Sequence, residues 1–175
     1  MIESATTIKN FRVDPTMRGS LFYSPEETNI LLSIADSFIT CNETALMSDA
    51  MDAVTAKPLA AYRAGAIYME NSGPGIVSSK NLYEKCTTAQ DGGIFYIVET
   101  KLADSESKYI QMQALYGSIL KCRNCDFSFK LSKMDHAIAE SGGAFMVENN
   151  GVGLVEKTSF IGTSALNQGG VISIV

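Results

Sequence analysis

Four cysteines are the first residues in this chain that could do chemistry: Cys41, Cys86, Cys122 and Cys125. The last two form a Cys-Arg-Asn-Cys tetrad, a spacing used for metal binding and for thiol–disulfide exchange. A structural zinc site takes four ligands. No second Cys-x-x-Cys pair is present, and the single histidine, His136, does not complete a set. A redox tetrad needs a helix start of the thioredoxin kind, and the residues around Cys122 read as strand. On a strand, positions i and i+3 face opposite sides, so one thiol is expected inside and the other outside. Cys41 and Cys86 fall in the same phase of consecutive repeats, described below. Stacked Cα atoms would then be about 4.8 Å apart, which suits a disulfide; a column of buried free thiols is the alternative.

Acid–base chemistry needs clustered carboxylates, or a Lys or Arg base beside acidic metal ligands. The acids here are scattered along the chain: Asp36, Asp91, Asp126, Asp135, Glu148 and Glu156. Asp36 and Asp126 lie near one corner of the repeat but differ in phase. There is no Gly-x-Ser-x-Gly elbow, no P-loop and no His-Glu-x-x-His. The Gly-Pro-Gly at 73–75 and Asn-Asn-Gly at 149–151 read as turns. The sequence therefore predicts no catalytic residues, no metal and no cofactor. Asn42-Glu43-Thr44 is an N-glycosylation acceptor at Asn42, meaningful only if a eukaryote secretes the chain. A net charge of −5 argues against a nucleic-acid surface. No apolar run reaches the length of a membrane span. The start, "MIESATTIKNFRVDP", lacks a signal peptide's basic and apolar regions. The protein is then cytosolic, or its signal was removed, or it is a piece of a longer chain.

The elements that would position these residues show up as a repeat. Five phrases of small residues lead into apolar strands, starting at Gly19, Gly65, Gly92, Gly142 and Gly169. They are spaced by 46, 27, 50 and 27 residues, so two intervals match and two are double, or one unit plus an insertion. A second marker, an aromatic followed by a small polar turn, occurs at Phe38, Tyr83 and Phe160, with Phe127 as the fourth counterpart. Tyr83 and Phe160 each precede a Gly-Gly pair by nine residues. The longer distance from Phe127 makes "KLSKMDHAIAES" bulge out.

The runs are short, rich in Ile, Val, Phe and Tyr, and bounded by Gly, Asn and Ser, which are strand signals. With a hydrophobic fraction of 46%, the chain reads as an all-β fold. The prediction is a right-handed parallel β-helix of about four to five coils over 18–175, with 1–17 as an N-terminal strand or lead-in. Residues 46–62 and 99–113 are expected to be insertions, the first a short helix or ordered loop. Two stacked columns follow from the phrases. One is Leu21, Ile67, Ile94, Ala144 and Val171; the other is Phe22, Tyr68, Phe95, Phe145 and Ile172. Since neighbours on a strand alternate, one column must point out. The Phe22–Ile172 column is thus a candidate aromatic face, either an exposed ladder capped by insertions or a contact with a neighbouring module or subunit.

The phrases "DGGIFYIV", "SGGAFMVE" and "QGGVISIV", with "SFIGTSALN" between the last two, resemble the repeats of the chlamydial polymorphic outer membrane proteins and of β-helical protist surface proteins. Those repeats pair Gly-Gly-Ala-hydrophobic with Phe-x-x-Asn. Here the Asn position holds Cys41, Cys86 or Thr163, a departure. The resemblance covers about residues 18–175 and implies a surface-exposed structural or adhesive role. Val175 falls within what should be the first strand of a further coil, so a longer chain or a stack of molecules is expected. Three functions compete. The first is a non-enzymatic structural module of a cell-surface or extracellular fibre, coat or adhesin, self-assembling or packed on neighbouring modules. The second is a carbohydrate-binding adhesin using exposed aromatics such as Tyr68 or Tyr96. The third is a polysaccharide lyase or hydrolase with an acidic cleft.

Overall fold

The computed structural model describes residues 7–11, 21–24, 29–41, 66–86 and 91–175. Among the described residues eighteen strands follow one another: β1 (Thr7–Phe11), β2 (Phe22–Ser24), β3 (Leu31–Ala35), β4 (Phe38–Cys41), β5 (Ile67–Glu70), β6 (Gly75–Ser79), β7 (Leu82–Glu84), β8 (Phe95–Val98), β9 (Lys101–Ser105), β10 (Lys108–Tyr116), β11 (Leu120–Arg123), β12 (Asp126–Lys130), β13 (Lys133–Ser141), β14 (Phe145–Glu148), β15 (Val152–Glu156), β16 (Ser159–Ile161), β17 (Ser164–Gln168) and β18 (Ile172–Ile174). Every pairing between them is parallel. Three sheets result. The first runs β18-β14-β11-β8-β5-β2 and the second β15-β12-β9-β6-β3. The third runs β1-β4-β7-β10-β13-β16, with β17 also on β13. This is a parallel β-solenoid of about four turns, with no helix among the described residues.

The backbone makes its corners with left-handed residues. Full coils repeat four such positions, seen at Glu99, Glu106, Gln111 and Gly117, and again at Asn124, Leu131, His136 and Gly142. Between corners, the strands carry β-branched and aromatic side chains inward. The core includes Ile34, Ile76, Leu102 and Phe129 from the second sheet, and Phe95, Leu120 and Phe145 from the first.

The register corrects the repeat lengths. Gly92, Gly117 and Gly142 all take φ near 60° at equivalent corners, so the interval of 50 is two coils of 25. β2 pairs directly with β5, so the interval of 46 is one coil plus an insertion; residues 46–62 lie outside the described residues. The segment 99–113 is no insertion but β9 and most of β10. "KLSKMDHAIAES" does not bulge out: it forms β13, in register with β10 from Lys108↔Lys133 to Tyr116↔Ser141. The counterpart of Tyr83 in that coil is Met134, through Tyr109, while Phe127 lies in β12. Below Tyr83 the partner is Ile39, not Phe38.

The aromatic column is corrected as well. The register runs Phe22↔Ile67↔Phe95↔Leu120↔Phe145↔Ile172, and this column points into the solenoid. Phe95 and Phe145 are fully buried in the core and Phe22 packs against it; Ile172, in the last coil, is the exposed end. Tyr68 belongs to the neighbouring column with Tyr23 and Tyr96. A shift of one residue moves a side chain to the other face of a strand, and Tyr68 is displaced by one residue. The column Leu21–Ile94–Ala144–Val171 sits at the corner before these strands and also meets the core. The two columns are thus both internal, because the chain bends between them.

Candidate functional site

The outward face of the first sheet carries the next column: Tyr23, Tyr68, Tyr96, Lys121, Met146 and Ser173. Tyr68 and Tyr96 are closed to solvent and stack edge to face at 5.3 Å, with Val98 beside them. Tyr68 donates its hydroxyl proton to Glu70 Oε2 at 2.5 Å. The expected exposure of Tyr68 and Tyr96 is therefore corrected: neither offers a ring to solvent. Tyr23 remains half exposed at 47%.

One coil further, the column turns charged. Lys121 is buried, its side chain 4% exposed, and a buried ammonium demands partners. Its Nζ lies 2.6 Å from Glu148 Oε1 and 3.7 Å from Asp91 Oδ2. It also stands 4.7 Å from the centroid of the Tyr116 ring. Asp91 bridges to Tyr116 one coil below, and Glu148 follows Met146 one coil above. Lys121 therefore links three successive coils. Beside it opens a recess of about 490 Å³, lined by Tyr116, Lys121, Glu140, Glu148, Asn167 and Gln168, with Met146 and Val175 as apolar wall. Glu140 Oε1 accepts a hydrogen bond from Asn167 Nδ2 at 2.7 Å. Burial, and then the charges of Glu140, Asp91 and Glu148, push the Tyr116 hydroxyl above its usual range. The phenol stays protonated and can donate. The recess can accept hydrogen bonds and attract positive charge.

A second polar group lies inside the solenoid. Asp104 follows Leu102 by two residues on β9, so the pleat turns it inward, where it is 2% exposed. Ser78 Oγ donates to its Oδ1 and Ser132 Oγ to its Oδ2, both at 2.6 Å. Asn81 Nδ2 donates to Ser78 Oγ at 3.0 Å and to the Ile34 carbonyl at 2.9 Å, and Asn81 Oδ1 accepts from the Ser37 amide at 2.9 Å. Tyr83 OH is 3.2 Å from Ser78 Oγ. Tyr109 stacks on Tyr83 at 4.9 Å. Burial raises Asp104's pKa, and the hydroxyls of Ser132 and Ser78 only partly oppose this. Burial also pushes the Tyr83 and Tyr109 phenols up.

The sign of the Asp104 effect on stability follows. The folded state holds this proton more tightly than the unfolded chain does. The contribution is fully present below the unfolded value of about 3.9 and is lost as pH rises through the folded value. Asp104→Asn keeps the shape and can still pair with both serines. The variant is expected to melt higher than the wild type at pH 7, with the gap closing as pH falls towards 4. Melting curves across that range check it; a variant less stable at pH 7 would refute it.

The cysteine expectations fare differently. Cys122 and Cys125 form a disulfide with Cα atoms 5.7 Å apart, and both are buried. One thiol in and one out is thereby overturned. β11 ends at Arg123, and Asn124 takes φ 50°, so the chain turns a corner and alternation no longer applies. Cys86 is disulfide-bonded. Its expected partner, Cys41, closes β4, but the Cys41 side chain lies outside the described residues, as does Asn42. No group of three or more His, Cys, Asp or Glu side chains among the described residues is placed to hold a metal ion. No helix among them is long and apolar enough to cross a membrane.

The last coil differs from the one beneath it. The outward positions Asp126, Ser128 and Asp135 are followed in the next coil by Val152, Leu154 and Ile161. These three are 66%, 50% and 47% exposed, and Leu166 and Ile174 are 78% and 76% exposed. No described strand pairs with the far side of β15, β16, β17 or β18.

The sequence reading missed Lys121, Glu140 and Asp104. The recess joins residues 25 apart, such as Asp91 with Tyr116 and Lys121 with Met146, so only the true coil length could have found it. No protein-family model matches the chain, and neither does any curated protein or solved structure.

Proposed function

We propose that this chain is a structural solenoid module of an extracellular or cell-surface assembly, and that it docks a second copy, or a similar solenoid, against its last coil. The observation that carries this reading is the change from Asp126, Ser128 and Asp135 to Val152, Leu154 and Ile161 at matching outward positions. Exposed apolar side chains gathered on one outward face mark an interface. A partner covering this face would gain roughly 25 cal/mol per Å² of apolar surface buried. The Cys122–Cys125 disulfide supports a place outside the reducing cytosol. The likeness of the Gly-Gly phrases to repeats of chlamydial and protist surface proteins points the same way.

The test is sedimentation velocity from roughly 1 to 100 µM, the range in which exposed strand edges associate. The wild type is expected to associate as concentration rises. A Leu154→Lys/Leu166→Lys double variant, changed only at exposed positions, is expected to stay monomeric. A wild type that is monomeric throughout would overturn the reading, as would association that both lysines leave unchanged.

A further inference from the structure

The groups that face the buried Asp104 carboxyl are Ser78 from β6, Tyr109 from β10, and Ser107 and Ser132 from the corners before β10 and β13. Tyr83 of β7 lies behind Ser78. All are hydroxyls, none carries a positive charge, and only the two phenols titrate. Each hydroxyl has one proton to give. Ser132 has two acceptors for it: Asp104 Oδ2 at 2.6 Å and the Lys130 carbonyl at 3.2 Å. The second is the pairing that this corner makes in other coils. Ser37 Oγ donates to the Ala35 carbonyl, Ser107 Oγ to Ser105 and Thr158 Oγ1 to Glu156. Each bond reaches two residues back across a left-handed residue, as Ser132 does across Leu131. An ionised Asp104 draws the Ser132 proton away from the corner, because a hydrogen bond to a carboxylate outweighs one to a carbonyl. A protonated Asp104 reverses this. Its Oδ2–H donates to Ser132 Oγ, and the Ser132 proton returns to the Lys130 carbonyl. Ser78 does not suit this part. Its Oγ already accepts from Asn81 Nδ2 at 3.0 Å, and a Ser78 proton turned to Tyr83 OH, 3.2 Å away, would cost the phenol its own acceptor.

We infer that Asp104 and Ser132 form a proton switch at the corner between β12 and β13: protonation of Asp104 closes the Ser132–Lys130 bond across Leu131, and ionisation opens it. Burial biases Asp104 towards its acid form, so the switch turns above the usual carboxylate range and the corner is tighter on the acid side. The corner is tied to its neighbours in both directions. The Leu131 amide donates to the Glu156 carbonyl of the next coil, and the Lys130 carbonyl accepts from the Glu106 amide of the coil below. Coils of a solenoid stabilise their immediate neighbours, so loosening is felt at the matching corners of those two coils and fades beyond them.

The experiment follows the Asp104 Cγ resonance of carbon-13-labelled protein against pH, together with exchange of the Leu131 amide proton. The Cγ midpoint is expected above the ordinary aspartate value of about 3.9. Leu131 exchange, corrected for its intrinsic pH dependence, is expected to quicken roughly tenfold through that same midpoint, the effect of losing one hydrogen bond. Asp104→Asn keeps the pattern of the acid form, since Ser78 donates to its Oδ1 and its Nδ2 then donates to Ser132. Leu131 should exchange slowly in that variant at every pH. In Ser132→Ala it should exchange fast at every pH, while Asp104 still titrates. Three results would overturn the proposal: Asp104 titrating in the ordinary range, wild-type Leu131 exchange with no step at the Cγ midpoint, or an Asp104→Asn protein that keeps the wild-type step. The first two need the wild type alone, so the test holds even where a variant fails to fold.

Discussion

Gly117→Ala is expected to cost the fold upwards of about 3 kcal/mol, while Glu106→Ala costs less than about 0.5. Both residues sit at the same φ of 58°, so left-handed conformation alone does not separate them. Space does. A β-carbon at Gly117 would overlap the Leu120 carbonyl oxygen of its own corner and lie 2.8 Å from the Met146 amide nitrogen of the next coil. Both are backbone atoms that cannot swing aside. Gly92, Gly142 and Gly169 face the same obstacle, each from the carbonyl three residues on. Glu106 already carries a β-carbon at an open corner. Urea unfolding of the two variants followed by far-ultraviolet circular dichroism gives the comparison. Equal midpoints would show that the corner gives way, and that glycine there is a matter of φ only.

The same corner explains how far the sequence could be read. Gly-Gly followed by apolar residues marks this bend at residues 92, 142 and 169, and from those marks a parallel solenoid follows. At Gly117 the companion is Ser118, whose hydroxyl donates to the Gly143 carbonyl. A serine there breaks the phrase while keeping the bend, so one coil was hidden and the period looked uneven. With the period wrong, the columns drift. Tyr68 stood in for Ile67, and Phe38 for Ile39. A slip of one residue exchanges inside for outside, which is why an internal column was expected to be a face.

The polar groups were hidden for a different reason. Asp104 sits between alanine and serine in a stretch, "KLADSESKY", that reads as surface by composition. Its neighbours Ser78 and Ser132 come from the coils on either side, so no local pattern betrays it. The Lys121 recess is likewise assembled from Asp91, Tyr116, Glu140 and Glu148, one or two from each coil. In a solenoid a site is a column, and a column is legible only once the register is known.

Phe145→Ala should then be among the most damaging substitutions in the chain, at about 3–5 kcal/mol. Phe145 stacks on Phe129 with centroids 4.7 Å apart, and meets Phe127 at 5.7 Å and Phe160 at 5.9 Å. Phe129 continues to Tyr109 at 6.0 Å, Tyr109 to Tyr83 at 4.9 Å, and Tyr83 to Phe95 at 5.9 Å. The rings form an unbroken internal spine from coil to coil. Stability in such a stack is carried by contacts between neighbouring coils, and Phe145 is where the last coil joins the rest. Its removal leaves a cavity that parallel strands, fixed on both sides by backbone hydrogen bonds, cannot close. Phe145→Leu keeps most of the volume and is expected to lose less than half as much. Chemical denaturation of both variants separates the two readings of this column. An outward-facing ring would make Phe145→Ala nearly neutral for folding and harmful only to association. An inward one destabilises the monomer itself, and hydrogen exchange should show β14 to β18 losing protection before β5 to β12.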